Sequence, residues 1–328
     1  MVRQEIVQEA ARIAPGADPE ELEVPQLIRT DLSRHDVYVM RSKDGKIVAK
    51  TRSTIEQPEL ASDVLDPTPI LWVPGYGGVK PAYRRPREGT VQLGRPSATY
   101  RPIRDISVAE TFHPANILHP ELLARRTLGA VIDHTCQYTE SDKVDLACHS
   151  MGGFIAALMA EYDPSKIRSI VFVASAGLED HSLFTLAKRA PGFFQREFLP
   201  HLSTLREENE ARMALEALDY FLRNPARTLA EGLAVASSNI RHILMGLREK
   251  GIMLGCLMFA SDELFIEENI RSQAGDLFHI IETYEDGSVG HMGPQLHGQA
   301  VARHVVSQTE RLAELKETLT PEDVLHLT

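Results

Sequence analysis

Three residues that lie far apart in the sequence could together perform nucleophilic catalysis: Ser150, Asp262 and His291. A serine hydroxyl attacks a carbonyl carbon readily only when a neighbouring base removes its proton. An imidazole can act as that base when a carboxylate orients it and stabilises its charged form. We therefore expect Ser150 to be the nucleophile, His291 the base and Asp262 the acid.

Ser150 lies between a predicted strand and a predicted helix. The apolar run Val144–Ala147 precedes Cys-His-Ser-Met-Gly-Gly, and Phe154–Ala160 favours a helix. A serine at such a sharp corner exposes its hydroxyl, and the free N–H groups of the helix can stabilise a developing anion. The pattern is G-x-S-x-G except that Cys148 replaces the first glycine, so the turn must accommodate a sulfur atom. A solvated serine before a helix is the alternative interpretation.

The base is expected on a loop at the same sheet edge. His291 meets this expectation because it lies between two glycines in the loop Tyr284–Pro294, which joins the last strand to the last helix. His149 adjoins the serine, but its side chain should point away from the hydroxyl. His297 and His304 fall on the following helix, where surface or packing roles are expected.

The acid should follow the preceding strand. Asp262 comes just after the apolar run Ile252–Phe259 and gives the chain order Ser, Asp, His. Glu263 is expected to face solvent. The second candidate for the acid is Asp180, with Glu179 beside it, after an earlier strand.

An oxyanion hole needs two N–H donors. Met151, the residue after the nucleophile, should supply one at the start of the helix. The second is expected from the glycine-rich loop Pro74–Gly78, at Tyr76. A plain turn is the alternative interpretation of this loop.

The elements that position these residues are predicted from apolar runs and turn signals. Asp44-Gly45 predicts a hairpin, and the later apolar runs, separated by helices, predict a parallel sheet covered on both faces. A helical block, 178–250, interrupts the strand pattern. The predicted strands are Asp36–Met40, Lys46–Lys50, Thr68–Val73, Thr99–Ile103, Val144–Ala147, Ile167–Ala174, Gly251–Phe259 and Leu277–Tyr284, and the predicted helices include Leu122–Cys136 and Pro294–Lys316.

Composition narrows the classes of function. The chain has 328 residues, and its net charge of −11 disfavours a nucleic-acid partner. No apolar run has the length of a bilayer span, and the amphipathic N-terminus lacks the continuous apolar stretch of a signal peptide. Three cysteines, of which Cys148 and Cys256 are expected to be buried, favour a reducing cytoplasm.

The triad order and the elbow resemble the α/β-hydrolase superfamily, and His-Ser-Met-Gly-Gly is similar to the elbow of monoacylglycerol lipases and related carboxylesterases. The resemblance implies an α/β-hydrolase core at 35–177 and 251–328 and a helical cap at 178–250. The amphipathic pattern near the N-terminus predicts a helical extension at 1–34. Cys148 and Pro74 depart from the pattern, since a glycine and a histidine are usual there.

The resemblance also implies a serine esterase or lipase that forms an acyl-enzyme on Ser150 with a small-molecule ester or acyl substrate and needs no metal or organic cofactor. Cap residues Phe184, Phe194 and Phe198 could line an acyl pocket or simply pack in the core. Lactonase, carbon–carbon bond hydrolase and acyltransferase activity remain alternatives, as does a non-catalytic ligand-binding role. A serine nucleophile disfavours the dehalogenases and epoxide hydrolases of the superfamily, and the oligomeric state stays open.

Overall fold

The structure is a computed structural model. It describes residues 28–41, 47–75, 80–101, 105–106, 120–199, 225–236 and 238–318. No helix in these ranges combines the length and apolar character needed to cross a bilayer.

A single mixed sheet forms the centre of the fold. Its order is β1-β2-β4-β3-β6-β7-β8-β9, with the short β5 beside β2. β1, β2 and β4 pair antiparallel, whereas β4 through β9 run parallel along the remaining path. The strands are β1 (Thr30–Arg41), β2 (Ile47–Pro58), β3 (Ile70–Val73), β4 (Ser97–Tyr100), β5 (Asp105–Ile106), β6 (Val144–His149), β7 (Ile167–Val173), β8 (Met253–Phe259) and β9 (Ile280–Tyr284).

Helices cover both faces of the sheet. On one face α2, α3 and α6 pack against an apolar cluster that contains Leu146 and Phe172; on the other, α1 and α9 pack around Trp72 and Val171. This double cover explains why β6 and β8 are buried along their whole length. The helices are α1 (Arg84–Gln92), α2 (Pro120–Thr139), α3 (Met151–Tyr162), α4 (Leu183–Phe193), α5 (Pro225–Ala236), α6 (Arg241–Glu249), α7 (Glu267–Ala274), α8 (Gly293–Leu296) and α9 (Gly298–Thr318).

The predicted α/β fold, mostly parallel with helices on both faces, is confirmed, but some boundaries were wrong. β1 begins at Thr30, so residues 30–34 belong to the hairpin and not to a helical extension, while 1–27 lie outside the described residues. β9 begins at Ile280 because a 3₁₀ turn occupies Gly275–Leu277. The predicted helix Pro294–Lys316 is two helices, α8 and α9, separated at His297.

The predicted cap, 178–250, is described only in part. α4, a π-helical turn at Phe194–Phe198 and α5 lie within it, whereas 200–224 lies outside the described residues. α6 also falls in this range, but its buried Ile243, Leu244 and Leu247 join the core cluster beside the sheet. By its packing, α6 therefore belongs to the helical layer of the core.

Candidate active site

Ser150 occupies a strained corner between β6 and α3. Its backbone has φ 54° and ψ −124°, values that a residue with a side chain rarely adopts. The corner is held by hydrogen bonds: Ser150 N donates to Val173 O at 3.1 Å, and Ser150 O accepts from Gly153 N and Ala176 N, each at 3.1 Å. Strain that the surroundings maintain in this way is typical of functional sites.

Glycines allow the backbones around this corner to approach one another. A Cβ on Gly152 would lie 2.5 Å from Val73 O, and one on Gly153 would lie 1.8 Å from Ser175 Oγ. The substitution of the usual first glycine by Cys148 is accommodated because its fully buried side chain joins the core cluster on the α2 and α3 face. Burial raises the pKa of the Cys148 thiol well above its usual range, so the thiol stays neutral.

The three residues predicted for catalysis lie together. His291 Nε2 is 3.0 Å from Ser150 Oγ, and His291 Nδ1 is 3.1 Å from Asp262 Oδ2. Since the carboxylate can only accept, Nδ1–H donates to Asp262 and Nε2 is free to accept from the serine hydroxyl. Asp262 Oδ1 is fixed in turn by the backbone N–H groups of Leu264 and Phe265, at 2.8 and 3.0 Å.

Sheet topology brings these residues to one edge. Ser150, Asp262 and His291 follow β6, β8 and β9 respectively, and the carboxyl ends of parallel strands meet at the same edge of a sheet. The His291 loop can close onto Phe259 because residue 293 is glycine: a Cβ there would lie 2.0 Å from the Phe259 ring.

The pKa of His291 results from opposing effects of burial and of neighbouring charges. Burial alone would lower the pKa of the imidazole, but the charge and the hydrogen bond of Asp262, with a smaller contribution from Glu197, raise it above the ordinary value. Both Asp262 and His291 are buried, 7% and 5% exposed, so the attraction between them is weakly screened.

Of the two predicted oxyanion donors, Met151 is among the described residues and Tyr76 is not. Met151 is the first residue of α3, directly after Ser150. Tyr76 lies outside the described residues, but Gly75 before it is buried against the serine: a Cβ on Gly75 would lie 2.7 Å from Ser150 Cβ. The chain therefore enters the predicted oxyanion loop beside the nucleophile.

A buried network, which sequence reasoning missed, connects Gly75 to His291. Tyr83 Oη lies 2.7 Å from His149 Nδ1, and Gly75 N donates to Tyr83 Oη at 3.0 Å. His149 Nε2 lies 2.9 Å from the carbonyl oxygen of His291 and must donate to it, so Nδ1 accepts from the tyrosine. Gln295 Nε2 also approaches His149 Nδ1, at 3.3 Å.

His149 remains neutral in this network. Burial and the charge of His291 lower its pKa to about 3. Its two ring nitrogens contact Tyr83, Gln295 and the carbonyl oxygen of His291, so neither is available to take the serine proton. No sequence signal pointed to Tyr83, because it follows a segment without clear periodicity.

Glu197, in the π-helical turn, is a second buried carboxylate near His291. Its Oε2 accepts from Met292 N at 2.8 Å, and the residue is 6% exposed. Burial raises the pKa of Glu197, while the Met292 N–H and the charge of His291 oppose that shift. No sequence pattern indicated Glu197, because a glutamate among charged helical residues is typical of a solvent-exposed helix face.

Aromatic rings surround the imidazole on other sides. Phe265 and Phe193 have ring centroids 5.2 and 5.8 Å from His291. Of the predicted acyl-pocket residues, Phe184 is 79% exposed, and the side chains of Phe194 and Phe198 lie outside the described residues. An acyl-binding role for these three residues stays a prediction.

The remaining residues considered as acid or base make hydrogen bonds to residues other than Ser150, Asp262 and His291. Glu179 binds Arg189 and Asn269, and Asp180 binds Arg241. His297 Nδ1 is 3.1 Å from Tyr284 Oη, and His304 Nδ1 is 3.4 Å from Glu282 Oε2. Within the described ranges, no group of three or more His, Cys, Asp or Glu side chains is arranged to hold a metal ion.

Comparisons with known proteins agree on the fold. A family profile described as the alpha/beta hydrolase fold matches residues 122–221. An esterase from Thermogutta terrifontis is similar in structure, with a TM-score of 0.56, 16% identity and coverage of 85% of this chain and 99% of that one. An esterase from Exiguobacterium antarcticum has a TM-score of 0.58 and 12% identity, covering 84% and 98%.

The structural likeness extends to a hydrolase that is named for a different substrate. A 2-hydroxy-6-oxo-6-phenylhexa-2,4-dienoate hydrolase from a Rhodococcus species has a TM-score of 0.60 and 12% identity, covering 86% of this chain and 100% of that one. No curated protein sequence matches this chain significantly. The fold is therefore shared by esterases and by a hydrolase that is named for a different substrate.

Proposed function

We propose that this chain, a member of the α/β-hydrolase superfamily, hydrolyses carboxylic esters through an acyl-enzyme on Ser150. The observation that carries the proposal is the continuous contact from Ser150 Oγ to His291 Nε2, at 3.0 Å, and from His291 Nδ1 to Asp262 Oδ2, at 3.1 Å. The likeness to two esterases is consistent with this substrate class.

In the first half of the reaction, His291 Nε2 takes the hydroxyl proton as Ser150 Oγ attacks the ester carbonyl carbon. The carbonyl oxygen becomes an oxyanion, which the Met151 N–H and the predicted Tyr76 N–H stabilise. The tetrahedral intermediate then collapses, His291 gives its proton to the leaving alcohol, and the acyl group stays on Ser150. Asp262 holds the imidazole in the correct tautomer and stabilises the imidazolium.

The second half repeats these steps with water. His291 takes a proton from a water molecule, the hydroxide formed attacks the acyl carbon, and the carboxylic acid leaves as the proton returns to Ser150 Oγ. Every proton transfer uses the same imidazole, so no further acid or base is required.

The substrate class, the cap and the cellular compartment are part of the same proposal. We assign the substrate to small-molecule esters, received beneath a helical cap formed by the part of 178–250 that precedes α6. A reducing cytoplasm is supported by the three buried, unpaired cysteines Cys136, Cys148 and Cys256.

Hydrolysis of p-nitrophenyl acetate, butyrate and octanoate tests the proposal. We expect turnover by the wild-type chain, loss of that turnover in Ser150→Ala and His291→Ala, and retention in the matched control His297→Ala. Equal rates for wild type and Ser150→Ala would contradict the proposal. Equal rates across the three acyl lengths would contradict a dedicated acyl pocket but leave ester hydrolysis intact.

A further inference from the structure

Glu197 contacts the segment that carries His291 in a way that the triad does not explain. The carboxylate lies in the π-helical turn Phe194–Phe198, and π-helical turns occur often at functional sites. Its Oε2 accepts from the N–H of Met292, the residue after His291, at 2.8 Å. Its Oε1 is buried and has no hydrogen-bond partner among the described residues.

The residue before His291 is Gly290, and its lack of a side chain leaves room for the Glu197 carboxylate. A Cβ on Gly290 would lie 2.6 Å from Glu197 Oε1 and 2.4 Å from Ser261 O. Both distances are shorter than any ordinary contact, so a side chain at position 290 would displace the carboxylate or the loop. Glu197 therefore packs against the neighbours of His291 on both sides, Gly290 and Met292.

A buried carboxylate with one unpartnered oxygen is unfavourable unless a positive charge compensates it. The charged or titratable groups that face His291 are Asp262, Glu197 and the neutral His149. Those that face Glu197 are His291 and Asp262. Among the described residues, the compensating positive charge comes from His291 when its imidazole is protonated, as the proposed reaction requires.

We propose that Glu197 is a positioning residue for His291: it holds the loop through the Met292 N–H and places a second negative charge beside the imidazolium. This inference rests on the proposed role of His291 as the base. An interaction that strengthens as charge develops favours the transition state over the ground state.

Two substitutions separate the two contributions. Glu197→Gln retains a carbonyl oxygen for the Met292 N–H but removes the charge, whereas Glu197→Ala removes both. Glu263→Gln is the matched control, because Glu263 also joins the core to the same turn, through Arg196 at 2.7 Å. Thermal unfolding checks that each variant is folded.

The first readout is the pH dependence of kcat/KM for a p-nitrophenyl ester. Removal of a negative charge makes the imidazolium less stable, so the acidic limb of Glu197→Gln should move to lower pH by about half a unit or more. Glu197→Ala should additionally lower kcat by about tenfold or more, with KM changed by less than about threefold, because a displaced base impairs chemistry more than binding. Glu263→Gln should match wild type in both respects.

The second readout, NMR titration of the His291 imidazole in the free chain, needs no substrate. We expect a lower pKa in Glu197→Gln than in wild type and no change in Glu263→Gln. An unchanged His291 titration in Glu197→Gln, or an equal shift in the control, would overturn the inference. If wild type fails to turn over esters while the His291 pKa still falls in Glu197→Gln, the proposed ester hydrolysis fails and the charge coupling stands.

Discussion

Replacement of Tyr83 by phenylalanine should weaken both the fold and the proposed reaction. The Tyr83 hydroxyl connects Gly75, at the entrance to the predicted oxyanion loop, to His149, which in turn donates to the carbonyl of His291. The phenylalanine ring fills the same space, so packing is retained and only the oxygen and its hydrogen bonds are lost.

The magnitude follows from the partners that are left behind. The buried Gly75 N–H loses its acceptor, and an unsatisfied buried donor costs about 1–3 kcal/mol. His149 Nδ1 loses its closer donor but keeps Gln295 Nε2 at 3.3 Å, so the loss there is smaller. We expect the free energy of unfolding to fall by about 2–3 kcal/mol in total, and kcat to fall by about tenfold as the loop shifts, equivalent to about 1.4 kcal/mol of activation free energy.

Urea unfolding and steady-state ester hydrolysis measure the two effects. Tyr100→Phe is the control, because Tyr100, at the end of β4, is buried like Tyr83 but its hydroxyl makes no hydrogen bond to Gly75 or His149. Gln295→Ala should have a larger effect in the Tyr83→Phe background than in wild type, since Gln295 is then the remaining donor to His149. Equal stability and equal kcat for wild type and Tyr83→Phe would refute the role of the network.

Three further predictions concern the triad and the elbow. Asp262→Asn should lower kcat by about 10⁴-fold, because an amide does not hold the required His291 tautomer. The rate of ester hydrolysis at the pH optimum measures this loss, and a decrease of less than about tenfold would count against Asp262 as the acid. The value of kcat/KM should rise with pH through an apparent pKa above about 6.5, the ordinary value for histidine. The reason is that Asp262 and Glu197 raise the pKa of His291, and only the neutral imidazole can accept a proton. An acidic limb centred below about 6.5 would contradict this prediction. Gly153→Ala should abolish activity or folding, because the new Cβ would lie 1.8 Å from Ser175 Oγ. Gly246→Ala is the contrasting case: a Cβ there would meet open space, so this substitution should add about 0.5–1 kcal/mol to the free energy of unfolding.

Much of the fold could be predicted because local patterns and tertiary packing agree in this chain. The apolar run ending at Val73, the elbow strand and the run ending at Phe259 are buried on both faces, and their composition reflects this directly. The elbow was recognisable for the same reason, since a strand, a strained serine and a helix must follow one another without a gap. The strand boundaries were less predictable, because β1 extends to Thr30 through mostly polar residues that pair with β2.

The contacts that surround His291 could not be predicted from the sequence. Glu197, Tyr83 and His149 are brought together by the turn after α4, by the segment before α1 and by β6, and nothing in the spacing of these residues encodes their approach. Buried Asp145 is a similar case within an apparently apolar strand, because its partner Arg95 comes from a distant loop, at 2.7 Å. Such polar contacts depend on the complete tertiary arrangement and not on local periodicity.

Identification of the acylated residue tests the central claim most directly. The chain is mixed with p-nitrophenyl acetate, quenched in acid within the first turnover, digested and analysed by mass spectrometry. The account predicts one acetyl group on the peptide that contains Ser150, accumulation of this adduct in His291→Ala no faster than the uncatalysed background, and no adduct in Ser150→Ala. Ester turnover without an adduct on Ser150, or with the acetyl group on another residue, would contradict it.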